Sequence, residues 1–426
     1  MKTIVYELIA ASSVFAASAY AVTIDADETW PDSGYTLTEN VTVTNGATLT
    51  TEGNITTGNY GMTVEAGSTI AFNNPKSAEF KMASPSAETV NTVDFYGTVV
   101  KTGAGGLNFI LADNIANNTV INFHEGSLSK SENGQMNFEV RRGTGTVNVM
   151  KGATLGGVND FHVGGRGDAA PVGTLNVQGS ATFGAWIRLG NTGLNSGLSG
   201  KAALNVTDGG YLKARDFATN VGTGYDASIV LKDVGSQLVV SNAVTLNVVN
   251  DSRSTSSLRI QSGANFKVEN ANGLTSNSGN SVVFGLDSNI QAAASTAMLS
   301  ISKLTVNIAD SAKTFSIDAS QLGAVAGLSA GDTIDIILID SLSSIVFNGA
   351  EYDFSVLDDT ALQGLLSDFM EFEFAGNENW EAADISDIRK VDDSIVLGMT
   401  YVPEPGVCAV LFGAAAVILA FWRRRA

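Results

Sequence analysis

The chain has one cysteine, two histidines and six prolines among its 426 residues. With Cys408 alone, no disulfide framework and no cysteine cage for a metal exists within the chain. His124 and His162 are too few for a typical zinc ligand set. Only Pro31, Pro75, Pro85 and Pro171 precede the final tail. Proline removes a backbone donor, so its scarcity leaves long stretches free to pair as central strands. Positive charge is also scarce: 24 Lys and Arg stand against 43 Asp and Glu, for a net charge of −19. Such a surface repels nucleic acid and anionic membranes, which excludes both as simple electrostatic partners. Long apolar runs are confined to the two ends.

Residues 1–21 have the order of a secretory leader: Lys2, a mostly apolar run, then Ala19-Tyr20-Ala21 as a small-x-small cleavage pattern. Glu7 interrupts the apolar part, and the alternative is a buried N-terminal helix. The other end, residues 402–426, contains Pro403-Glu404-Pro405, an apolar run over 407–422 and then Arg423, Arg424 and Arg425. The two prolines stop any helix or strand from passing through. In hydrocarbon the apolar run satisfies its backbone only as a helix. At about 1.5 Å per residue it spans roughly 24 Å, which Trp422 and snorkelling arginines extend to the interfaces. An exported N-terminus with cytoplasmic arginines places residues 22–402 outside the inner membrane. Setting aside Lys2, Glu7, Glu404 and the three terminal arginines, this exported part has a charge near −21.

The tail resembles the PEP-CTERM sorting signal of Gram-negative bacteria. That resemblance implies an exosortase-like processing protease that cuts near Pro403, Glu404 and Pro405 after transient anchoring in the inner membrane. Release to the envelope or the extracellular matrix would follow. The same residues also fit a single-pass anchor that is never cut.

The middle of the chain repeats itself. TVNVMKGATL (146–155), TLNVQGSATF (174–183), ALNVTDGGYL (203–212) and SLRIQSGANF (257–266) share an alternating apolar segment, a turn glycine and a closing apolar residue. Looser copies place glycines at 46, 67, 97, 126, 152, 179, 209, 235 and 263, with spacings of 21 and then 26 to 30 residues. A near-constant period signals a solenoid. The segments alternate with period two and favour Val, Thr, Leu and Phe, so they are strands. Glycine supplies the positive φ a corner requires. One coil of two or three short strands, stacked about 4.8 Å on the next, would bury its inward row. Val147, Val149, Leu175, Val177, Leu204, Val206, Leu258 and Ile260 are the predicted inward residues. The expectation is an all-β chain whose residues 22–280 form a right-handed parallel β-helix, with a β-sandwich as the alternative.

A second fragment recurs as Val163-Gly164, Leu189-Gly190 and Val221-Gly222. Together the fragments resemble the passenger β-helix repeats of bacterial autotransporters. The chain lacks the many amphipathic strands of a terminal outer-membrane barrel, so the resemblance extends to the passenger architecture and not to self-secretion.

Over residues 281–401 glycine thins and longer strand candidates appear at 299–309, 333–340 and 394–401. Between them, Leu362, Leu365, Leu366, Phe369 and Met370 fall on one face of a short helix, with Asp358 and Asp359 near its N-terminus. The reading is a β-rich cap that shields the open end of the solenoid.

Catalytic signals are sparse. Asp332 with Asp335, Asp358 with Asp359, and Asp392 with Asp393 are candidate acid pairs for polysaccharide chemistry. Adjacent strand residues point to opposite sides, which weakens the last two. Arg141, Arg142 and Arg188 could contact a sugar acid, but they are read as solvated surface. His124 and His162 have no nucleophile or metal motif around them and are read as surface or coil-edge side chains. Residues 164–168 resemble one calcium-binding nonapeptide with its aspartate one place early, and calcium rolls need tandem copies. Arg166-Gly167-Asp168 is also an RGD tripeptide, which chance accounts for. No cofactor, metal or catalytic residue is assigned. The sequence therefore predicts an exported structural or adhesin-like protein, not an enzyme, whose partners outside the cell would be polysaccharide or a host surface. The alternatives are a β-helix polysaccharide lyase or glycoside hydrolase, and a permanently anchored periplasmic protein.

Overall fold

A computed structural model describes residues 21–84, 86–165, 167–249, 251–309 and 313–402. Ala19, Pro403, Glu404, Pro405, Arg423, Arg424 and Arg425 lie outside the described residues, as do the predicted leader and the apolar run 407–422. Ala21 opens the first strand, Ala21–Ile24. Among the described residues no helix is long and apolar enough to cross a membrane.

The chain winds into a parallel β-solenoid. Each coil contributes a strand to a first sheet of thirteen strands, while two further strands per coil join a larger sheet of twenty-four. The larger sheet consists of two parallel stacks, a second and a third face. They merge where a single long strand serves both, in Thr154–Val163, Ser180–Leu189 and Tyr211–Thr219. Register shifts within these strands absorb the bend between the faces. Parallel pairing throughout the coils rules out the sandwich, whose sheets are antiparallel.

Period-two alternation places the core as expected. In the first sheet Val147, Leu175, Leu204, Ile229 and Leu258 stand in register, followed by Val149, Val177, Val206, Leu231 and Ile260. All eight predicted inward residues are buried. On the third face Phe80, Phe109, Phe138, Phe161, Ile187 and Phe217 form an inward stack. Phe109 and Phe138 lie 4.8 Å apart and nearly parallel. Such stacking ties neighbouring coils together, beside contacts within a coil such as Phe123 with Phe138.

The turn glycines divide into two kinds. Gly46, Gly67, Gly126, Gly152, Gly209, Gly235 and Gly263 have φ between +75° and +85°. Each closes a β-turn, as where the Ala47 amide donates to the Thr44 carbonyl at 3.0 Å. Gly97 and Gly179 do not share the positive φ. A Cβ on Gly97 would meet the Ser68 carbonyl oxygen at 2.2 Å, and one on Gly179 the Met150 oxygen at 2.4 Å. There the glycine allows close backbone approach instead. The second fragment also needs correction: Leu189 pairs with Thr219, so Gly164 and Gly190 stack beneath Asn220, not Gly222. Asn220 takes the left-handed corner itself, with φ of 50°.

Parallel stacking does not stop at residue 280. Asn280–Gly285 carries Phe315–Asp318, and Lys303–Asn307 carries Ser344–Phe347, both in parallel. Glycine thins there because the corners become longer loops, one containing the short helix Ile290–Ala293. Antiparallel closure begins later, where Ala350–Asp353 and Ser394–Thr400 pair back on the last coils. The helix Asp359–Phe369 buries Leu362, Leu365, Leu366 and Phe369, and the Asp358 carboxylate caps it by accepting from the Ala361 amide at 2.8 Å. Met370 leaves the helix and pairs in parallel with Phe315.

Candidate functional site

On the third face the inward phenylalanines force their neighbours outward, so residues distant in sequence line up across coils. Asn137 stands in register with Asp160, Glu139 with His162, and His162 with Arg188. Trp186 stands beside Asp216 on the next coil. The strands Ala78–Lys81, Leu107–Leu111, Met136–Val140, Thr154–Val163 and Ser180–Leu189, with Asp113 and Arg141 just beyond two of them, thus bring acids, two arginines, a histidine and a tryptophan onto one face of consecutive coils. Ile110, between Lys81 and Glu139 in register, is fully buried and gives the cluster an apolar floor.

Arg141 is the hub. Its Nε lies 2.9 Å from Glu139 Oε2, and its terminal nitrogens lie 3.5 Å from Asp113 and 3.4 Å from Glu79. With 15% of its side chain exposed, it is not the solvated surface residue that its sequence context predicts. Burial by itself would lower its pKa, but Glu139, Asp113 and Glu79 outweigh that and raise it. The Lys81 ammonium, 2.8 Å from Glu79, leads in holding that carboxyl below its ordinary range.

His162 is 19% exposed and its Nε2 lies 3.8 Å from Glu139 Oε1, beyond hydrogen-bond reach. Burial pushes its pKa down. Glu139 and Asp160 oppose the shift, while Arg188 and Arg141 reinforce it. The imidazole is therefore neutral at pH 7, and its Nδ1 is buried without a partner among the described residues. Asp160 accepts from the Trp186 amide at 2.9 Å and from Asn159 at 3.0 Å, one bond on each oxygen. The Arg188 guanidinium lies 4.3 Å from the centre of the Trp186 ring, a cation–π pair. Beside it Asp216 takes Arg215 and Asn242, each at 2.6 Å.

The acids singled out from sequence serve the fold. Asp332 accepts from the Ser329 amide at 2.7 Å, and Asp335 pairs with Arg389 at 2.5 Å. Asp358 caps the helix, Asp359 holds the Lys390 amide at 2.8 Å, and Asp392 turns a hairpin with φ of 53°. Asp393 neighbours Asp392 in the same turn, where its carbonyl accepts from the Leu342 amide at 2.9 Å. Of the RGD tripeptide, Arg166 lies outside the described residues, while Asp168 makes two bonds to Arg142, at 2.8 and 3.2 Å. Among the described residues no group of three or more His, Cys, Asp or Glu could hold a metal ion.

His124 lies on the first sheet, away from this cluster, with its Nε2 2.8 Å from Asp94. Of the third-face cluster, sequence reasoning found Arg141, His162 and Arg188 but missed Glu79, Asp113, Glu139, Asp160 and Trp186. A signal was present: aligning Phe138-Glu139-Val140 with Phe161-His162-Val163 and Ile187-Arg188-Leu189 puts Glu139 in their row. Chemically the cluster offers a planar cation on an aromatic ring beside a neutral imidazole, while its carboxylates are paired. No family model, no curated protein and no solved structure matches this chain.

Proposed function

We propose that this chain is a structural or adhesin-like protein displayed outside the inner membrane of a Gram-negative bacterium. A leader ending at Ala21 would deliver it. The tail would be sorted through Pro403, Glu404 and Pro405 and cut by an exosortase-like protease, with Arg423, Arg424 and Arg425 marking the cytoplasmic end. The observation that carries this reading is the parallel solenoid itself, which holds outward side chains in fixed rows across many coils. Repetition of this kind builds extended binding faces. Right-handed winding belongs to the proposal, as the sense nearly all parallel crossovers take. The test is the intact mass of the protein from culture medium and from membranes of its native host. A form from Val22 to near Pro405 outside the cell supports the reading. A membrane-bound form that retains the three arginines refutes the release and favours permanent anchorage.

A second reading rests on one observation, the third-face cluster of Arg141, Glu139, His162, Trp186 and Arg188. Arginine, acids and an aromatic on adjacent coils is the arrangement a polysaccharide lyase or glycoside hydrolase would require. Release of reducing ends from polyuronates, lost on R188A and E139Q, would establish it, and no release from the folded protein would remove it.

A further inference from the structure

The outward side of the first sheet carries a different row. Asp94, Asn122, Asn148, Asn176 and Asn205 stand in register on five successive coils. Each amide donates to the oxygen of the residue before it: Asn122 to Asp94 at 2.8 Å, Asn148 to Asn122 at 2.7 Å, then Asn176 and Asn205 at 2.8 Å each. An amide has two N–H donors and two lone pairs. The row uses one donor of each amide, and one lone pair of each except Asn205, internally and leaves the others for a partner. Met150, Gln178 and Thr207 form a bank beside Asn148, Asn176 and Asn205, and these six with Val149 line a groove of about 460 Å³. No charged residue lines that groove. At the Asp94 end, His124 bonds Asp94 and Tyr96 stacks on His124 with ring centres 3.9 Å apart. Tyr96 remains 40% exposed.

We infer that this groove binds a neutral, hydroxyl-rich polysaccharide chain laid along the solenoid axis. Rungs repeat about every 4.8 Å, each offering a donor and an acceptor. A hydroxyl is both donor and acceptor, so vicinal hydroxyls on successive sugars can satisfy successive rungs. Each contact is weak, but a polymer engages many at once. The amides are already held by one another, which lowers the ordering cost of binding. Past the groove, at the Asp94 end of the row, Tyr96 is 40% exposed and offers an aromatic ring with a polar hydroxyl to a pyranose. With no Lys or Arg in the groove and a net charge of −19, an anionic polymer is repelled. A peptide adding as a strand would need a sheet edge, and this is a face.

The inference rests on the proposed location outside the inner membrane, but the two fail separately: location is read by mass, binding by the purified protein. The experiment is affinity electrophoresis of the full-length protein in mild detergent, through gels containing dextran, mannan, hydroxyethyl cellulose or alginate. Retardation is expected in at least one neutral polymer and not in alginate. N176A breaks the row and Y96A removes the exposed ring; each should weaken the apparent Kd about tenfold or more. Y96A changes an exposed side chain and so keeps the test valid should N176A unfold. K213A, at a partly exposed residue on the second face, should leave retardation unchanged. Retardation by none of the neutral polymers, preference for alginate, indifference to both row variants, or loss on K213A would each overturn the inference.

Discussion

Tyr225 offers the sharpest test of the coil register. Its side chain is fully buried and lies across Gly164, Gly190 and Gly200; Gly164 and Gly190 begin successive corner loops, and Gly200 opens the strand Gly200–Val206. A Cβ on Gly164 would sit 1.9 Å from the Tyr225 hydroxyl oxygen and 2.7 Å from Cζ, far inside contact distance. Gly164 also has φ of +97°. Gly67 provides the matched control, with φ of +82° and no atom within 4 Å of its would-be Cβ. Replacing Gly67 by alanine therefore costs only the left-handed backbone penalty, about 1–2 kcal/mol. The same replacement at Gly164 adds an overpacking cost of about 1–3 kcal/mol.

Urea denaturation of G67A and G164A, read with amide exchange at Asn191 and Lys201, would separate the two contributions. Those amides bond the Val163 and Pro171 carbonyls on either side of the slot. Local exchange is needed because stacked coils can open in parts and a single global ΔG need not describe them. Y225L removes the ring end that the methyl introduced by G164A would strike, so G164A and Y225L should be non-additive. The double variant should be about 1–3 kcal/mol more stable than the sum of the singles predicts. Equal cost for G67A and G164A, or strict additivity in the cycle, would refute the packing argument.

Three further outcomes follow from burial and capping. The folded pKa of His162 lies below its ordinary 6.5, so the unfolded chain binds the extra proton as pH falls. Stability should be complete above that pH and drop through it by at most about 1.4 kcal/mol per pH unit, and H162Q should flatten the fall in urea midpoints. Lys101 is fully buried, donates to the Gly103 carbonyl, and has its pKa lowered by burial from 10.5. Stability should rise with pH toward 10.5, and K101M should be more stable at pH 7 and lose that rise, measured by thermal melting across pH. D358A should cost about 1 kcal/mol and raise amide exchange in the first turn of Asp359–Phe369 without touching the coils.

The sequence made the core legible because inward residues repeat a simple chemistry. Val147, Leu175 and Leu204 need only be apolar and two apart from Val149, Val177 and Val206, and period two exposes that without any register. Corners were half legible. Glycine marks them where φ must be positive, but Asn220 does the same work and hid the third copy of the second fragment. The end of the solenoid was misplaced for a similar reason: glycine loss tracks longer loops, not a change from parallel to antiparallel pairing. Outward rows were hardly legible. Glu139, His162 and Arg188 become neighbours only once each coil length is known, and coils of the first sheet vary from 19 residues between Ala21 and Asn40 to 33 between Val282 and Phe315, before the closing segment.

Both outward rows end within the same stretch of the fold. The charged row runs out where Arg188 meets Ala218, and the amide row where Asn205 meets Val230. The three longest strands of the second and third faces, Thr154–Val163, Ser180–Leu189 and Tyr211–Thr219, lie in this stretch. Where a strand replaces a corner loop, the side chains beside it are set by hydrogen bonds to both neighbouring coils. Trp186 and Arg188 are placed in this way, between Asp160, His162, Asp216 and Ala218. Sites on strands hold their geometry better than sites on loops. The later coils have longer loops and close against the helix and hairpin, so their residues serve the end of the stack. Both proposed sites lie on paired strands, where one coil's outward residue faces the next.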